Sequence, residues 1–113
     1  MAFYYTLPVY RDTYKLILAI FDITKNFPKE YKFTLGQDMK RDSLTLVRHI
    51  YRANKSYSKK EHLEDFLDDF EILKLELRLC ADMKILSMKM QSELSLLMDT
   101  IGKQINGWKN VSS

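Results

Sequence analysis

Residues 26–37 read NFPKEYKFTLGQ, with a proline and a glycine eight residues apart between two long stretches of helical periodicity. Whether this stretch bends or continues decides the fold. The residue before a proline is driven out of helical geometry, so Pro28 ends the helix that precedes it. Thr34 and Gln37 have the spacing of a capping box, in which Thr34 caps the next helix and Gln37 reaches back. Gly36 falls in the first turn of that helix, where it costs little. FPKEYKF is therefore a corner between two helices, and Lys29 and Lys32 project from its exposed bend.

Working outward from the corner, four helical segments emerge, at about 8–26, 35–53, 59–84 and 88–106. Pro8 is tolerated in the opening turn of the first. There Tyr10, Tyr14, Ile17, Leu18 and Phe21 share one face, and Val9, Leu16, Ile20 and Ile23 form a second strip beside it. The second segment places Leu35, Met39, Leu46, Ile50 and Ala53 on its core face. NKSYSKK follows as a polar loop, and Ser58 with Glu61 makes a second capping box for the third segment. That segment turns on Leu63, Phe66, Phe70, Leu73, Leu77 and Ala81. Ser87 caps the fourth, which carries Met90, Leu94, Leu97, Met98, Ile101 and Ile105. Gly107 suits the position just beyond its end, with Trp108 folding back as the apolar partner of that cap. Nothing reads as a strand or a repeat. The expected fold is all-α, an antiparallel up-down four-helix bundle in which residues 1–113 form one domain.

Composition agrees with this reading. Hydrophobic residues make up 46% and charged residues 29%, as in an ordinary soluble domain, and three glycines with two prolines leave room for long helices. The single cysteine, Cys80, can form neither an internal disulfide nor a cysteine-rich metal site. It reads as a small buried residue, in keeping with a reducing, cytoplasmic setting. MAFYYTLPVYR has no basic segment followed by an apolar run, so no signal peptide is expected. The longest apolar run, Leu16 to Phe21, is far too short to cross a membrane.

No catalytic constellation stands out. His49 and His62 lie on different helices, and His62 sits among Glu61, Glu64 and Asp65 without the Glu-x-x-His spacing of a bundle metal site. There is no phosphate-binding glycine loop and no nucleophile elbow. The expectation is a protein with no catalysis, no cofactor and no metal.

Charge patterning says more. From Lys25 to Lys60 there are ten basic residues against Glu30, Asp38 and Asp42, whereas Glu61 to Glu76 holds seven acids and Lys74 alone. At about 100° per residue, Arg41, Arg48, Arg52 and Lys55 fall within an arc of roughly 60° opposite the core face of the second helix. Such a row can track phosphates, and arginine is the better fork for them; a solvated polar face is the plain alternative. Leu44, Val47 and Tyr51 lie beside the row, outside the core face. Beyond Asp69 the outer face of the third helix becomes Ile72, Leu75, Leu79 and Met83. Second apolar stripes on three helices point to contacts with other subunits, with a wider intramolecular core as the alternative.

Residues 7–37, LPVYRDTYKLILAIFDITKNFPKEYKFTLGQ, then 46–56, LVRHIYRANKS, and the closing INGWK at 105–109 resemble the accessory variability determinants of diversity-generating retroelements. The likeness spans nearly the whole chain. The wider group includes proteins of 23S rRNA intervening sequences, so a structural bundle of that type, with a ribosomal or unknown role, is the second reading. The resemblance implies a four-helix bundle that assembles into a basic, barrel-like homopentamer. It further implies binding to a reverse transcriptase and to template RNA or DNA, supporting mutagenic copying without catalysis of its own. It supplies no short contact motif. The nucleic-acid residues therefore rest on the basic row and the Lys29–Lys32 corner, and the interface on Leu44, Val47, Tyr51, Ile72, Leu75 and Leu79.

Overall fold

The computed structural model describes residues 3–112. A short 3-10 turn, Tyr4–Thr6, leads into α1 (Pro8–Thr24), a one-turn α2 (Lys29–Lys32), α3 (Leu35–Lys55), α4 (Lys59–Asp82) and α5 (Met88–Val111). The four long helices form an antiparallel bundle in which α1 packs on α3, α3 on α4, α4 on α5 and α5 back on α1. No strand occurs among the described residues. The bundle is 43 Å long and about 22 Å across.

The corner is a packed turn. α1 stops at Thr24, whose hydroxyl donates to the Ile20 and Phe21 carbonyls. Phe27 drops into the core, and Pro28 opens α2 by accepting from the amides of Tyr31 and Lys32. Gly36 is buried against this turn, and a Cβ there would meet the Tyr31 carbonyl at 3.4 Å and the Phe27 ring at 3.5 Å. The expected capping box does not form: the Thr34 hydroxyl donates backward to the Glu30 carbonyl, closing α2 instead of opening α3. Ser58 makes no side-chain cap either. There the Lys59 ammonium donates to the carbonyls of Ala53, Asn54 and Ser56, so the loop is closed by capping the C-terminus of α3. Ser87 does cap α5, accepting from the Met90 amide.

Three expectations about helix faces and ends need correction. On α1 the core strip is Val9, Leu16, Ile17, Ile20 and Ile23, whereas Tyr14, Leu18 and Phe21 stay exposed. Both strips are apolar enough to face inward, and periodicity does not rank them. α4 turns Glu76 and Cys80 into the interior alongside Phe66, Phe70 and Leu73, leaving Leu77 and Ala81 at the margin. α5 does not end at Gly107; it runs through Trp108 to Val111, and Trp108 packs on the core from within the helix. One glycine in a helix interior costs only about 1 kcal/mol, and Trp108 packing offsets it. Smaller shifts occur elsewhere: α1 and α4 end two residues early, and α3 runs two residues longer.

Candidate nucleic-acid interface

α3 is the helix on which the candidate site stands. With Met39, Leu46, Ile50 and Ala53 fully buried on one side, Arg41, Arg48, Arg52 and Lys55 are all exposed on the other. They are not equivalent. Arg41 reaches Asp38 and Asp42, each at 3.3 Å, so the first position of the row is partly neutralised by its own helix. Arg48 and Arg52 form no ion pair among the described residues. Lys55 lies 4.6 Å from the centre of the Tyr51 ring, a cation–π contact that leaves its charge uncancelled. Within this row, the free positive charge is therefore concentrated on the last two turns of α3.

Lys29 and Lys32 do not join this group. They sit on α2, at the N-terminal end of α3, and Arg52 and Lys55 occupy its far end. At 1.5 Å per residue the two basic clusters are about 25–30 Å apart along the helix axis.

The structure adds an aromatic cluster at the Lys55 end. Phe3 and Tyr5 stack with ring centres 5.2 Å apart and planes 8° from parallel. Tyr4 makes edge contacts with Tyr5, Tyr10 and Tyr51, at 5.5, 5.3 and 5.4 Å. Tyr10 stacks on Tyr14 at 6.1 Å. With Lys40 over the Phe21 ring at the other end, these contacts lay the outer aromatic strip of α1 alongside Leu44, Val47 and Tyr51 of α3. Sequence reasoning missed the cluster. The FYY run at residues 3–5 was its signal, but Tyr51 joins it only through the packing of α1 on α3.

On α4, Ile72, Leu75, Leu79 and Met83 are exposed on the face away from the core. Beside them a groove of about 810 Å³ opens between α4 and α5, lined in part by Leu77, Leu86, Leu94 and Met98. The first half of α4 is acidic outside, with Glu61, Glu64, Asp65, Asp68 and Glu71 exposed. Lys74 pairs with Glu71, and Lys109 of α5 approaches Glu64 at 3.8 Å.

Between these faces, the α3–α4 seam holds polar pairs that single-helix reasoning could not place. His49 is buried with Nε2 2.6 Å from Asp69 Oδ2, and its Nδ1 has no partner. One layer along, Glu76 is buried beside Asp42. Desolvation, then the hydrogen bond and repulsion from Asp42, push its carboxyl up to about 8. Farther on, the Cys80 thiol contacts Met39 Sδ at 3.6 Å, and burial raises its pKa to about 11, an inert structural thiol. No group of three His, Cys, Asp or Glu among the described residues could hold a metal ion. No helix among them is long and apolar enough to cross a membrane.

Residues 9–112 match the family model described as bAvd-like. No curated protein matches the sequence.

Proposed function

Because the chain belongs to the bAvd-like family, the bacteriophage accessory variability determinants, we propose that it is a non-catalytic accessory of a diversity-generating retroelement. In this role it forms a homo-oligomer, a pentameric ring, that holds template RNA or DNA beside the element's reverse transcriptase in the bacterial cytoplasm. The observation that carries the reading is the row Arg48, Arg52 and Lys55, exposed and unopposed by acid on the outer face of α3. A row of this kind binds phosphates without reading base sequence. Repeated around a ring, a few contacts per subunit sum to tight binding.

Assembly is supported by apolar surface on two different faces, exposed Leu44 with half-buried Val47 on α3 and exposed Ile72, Leu75 and Leu79 on α4. Pairing unlike patches head to tail produces rings when the rotation closes. Tyr51, already engaged by Tyr4 and Lys55, lies at the edge of the first patch.

The test is Arg48→Glu with Arg52→Glu. This double variant should abolish oligonucleotide binding at physiological salt, followed by fluorescence anisotropy, with helicity and subunit number unchanged. For the wild type, each phosphate contact should steepen the log–log salt slope by about 0.9 on duplex and about 0.7 on single strands. Wild-type affinity in the double variant would reduce the row to solvated surface and move the search to the Lys29–Lys32 corner.

A further inference from the structure

We propose that the aromatic cluster at the N-terminal end of α1 is a base-stacking platform, which makes the adjoining basic row a site for single-stranded rather than duplex nucleic acid. This rests on the reading of Arg48, Arg52 and Lys55 as phosphate contacts and specifies what they hold.

The cluster is open where a hydrophobic cluster would ordinarily close. Phe3 is 65% and Tyr5 50% exposed, although the two rings are stacked on each other. A parallel pair of this kind presents an outer π-face to solvent, and every nucleobase has a face to match it. The platform is also held in place. The Thr6 hydroxyl and amide both donate to the Phe3 carbonyl, and the Leu7 amide donates to that of Tyr4, fixing the turn that carries the rings. Tyr4 anchors it from below through edge contacts to Tyr10 of α1 and Tyr51 of α3.

Rings and charges are joined at Tyr51. It touches Tyr4 on the cluster side and carries the Lys55 ammonium over its ring, one turn from Arg48 and adjacent to Arg52. Residues 3–11 and 47–57, which supply nearly all of this surface, contain no Asp or Glu, and they carry Arg11, Arg48, Arg52 and Lys55. The surface is thus complementary to a chain that is anionic along its backbone and aromatic beside it. In a duplex the bases are stacked on one another and cannot reach the rings. In a single strand they can turn out onto Phe3 and Tyr5 while the phosphates follow α3. Stacking of this kind is indifferent to base identity.

The experiment compares a fluorescein-labelled oligothymidylate with a duplex of equal phosphate count, at one salt concentration. Wild type should favour the single strand. Phe3→Ala with Tyr5→Ala should weaken single-strand binding about tenfold or more and leave duplex binding unchanged. Phe3→Leu with Tyr5→Leu should lose as much, since it keeps apolar bulk without a ring, whereas Tyr5→Phe should bind like wild type. Far-UV circular dichroism checks that the helices are intact. The platform is overturned by alanine variants that bind single strands as wild type does, or that lose affinity equally for both ligands. A change in subunit number with unchanged oligonucleotide binding would overturn it too and assign the rings to a protein contact. Wild-type protein that binds neither ligand would overturn the phosphate row as well, which separates the two failures.

Discussion

α3 and α4 pack against each other along the bundle, yet their outer faces differ in kind. The outer face of α3 is cationic, and its charge is free on the last two turns. That of α4 is acidic for its first half and apolar for its second, where Ile72, Leu75, Leu79 and Met83 stand exposed. A phosphate chain would be repelled by the first half of α4 and gain nothing from the second, so the two helices suit different partners. On the proposed reading, one face serves nucleic acid and the other protein. The seam between them differs from both: it buries His49 and Glu76, each against a partly exposed carboxylate, Asp69 and Asp42.

The largest expected effect falls on the apolar half of α4. Leu75→Glu or Leu79→Glu would bury an unpaired charge in the proposed subunit contact, at a cost of about 3 kcal/mol or more. Light scattering should then report soluble, helical 13.5 kDa monomers. An unchanged subunit number, or wild-type protein already monomeric at tens of micromolar, would remove protein association from this face and break the contrast with α3.

The next prediction concerns the seam. The Glu76 carboxyl is raised from 4.5 to about 8, so between these values the folded chain keeps a proton that the unfolded chain has released. Stability therefore falls as pH rises through that window and levels off above it, by about 1–2 kcal/mol once solvent screening is allowed for. Glu76→Gln should flatten the profile of melting temperature against pH between those limits. A slope that persists in the variant would place the titrating group elsewhere in the seam.

Lys59→Met removes the ammonium that three carbonyls at the end of α3 share, and should cost about 1 kcal/mol in urea unfolding. The smallest effect belongs to the end of α4. Lys84 sits at φ 60°, with its amide on Ala81 and that of Ile85 on Cys80, a Schellman turn at the position glycine usually fills. Lys84→Gly relieves the left-handed strain but adds freedom to the unfolded chain, and should stabilise by about 0.5–1 kcal/mol. A loss of stability there would mean that Lys84 contributes more than its backbone geometry shows.

Much of the bundle was legible in local chemistry. Pro28 stops α1 wherever the rest of the chain lies, and Ser87 caps α5 from three residues away. The core faces of α3 and α5 were legible because each helix has one stripe clearly more apolar than its other sides. Local patterns misled where a competing partner lay within reach. Thr34 and Ser58 had the right spacing for capping boxes, but Thr34 found a carbonyl on α2 and Lys59 closed the second loop.

The sequence by itself determined the number and approximate lengths of the long helices, the break at Pro28 and the division into a basic α3 and an acidic α4, because these depend on residues within a few turns of one another. Only the tertiary structure decided which strip of α1 faces inward, that His49 meets Asp69, and that Glu76 is buried against Asp42. It alone carried Tyr4 across to Tyr51 and so set an aromatic surface beside the free end of the basic row. A helical repeat specifies angles about one axis. The rotation of that axis against its neighbours follows from how all the side chains fill the shared interior, and no single segment contains that information.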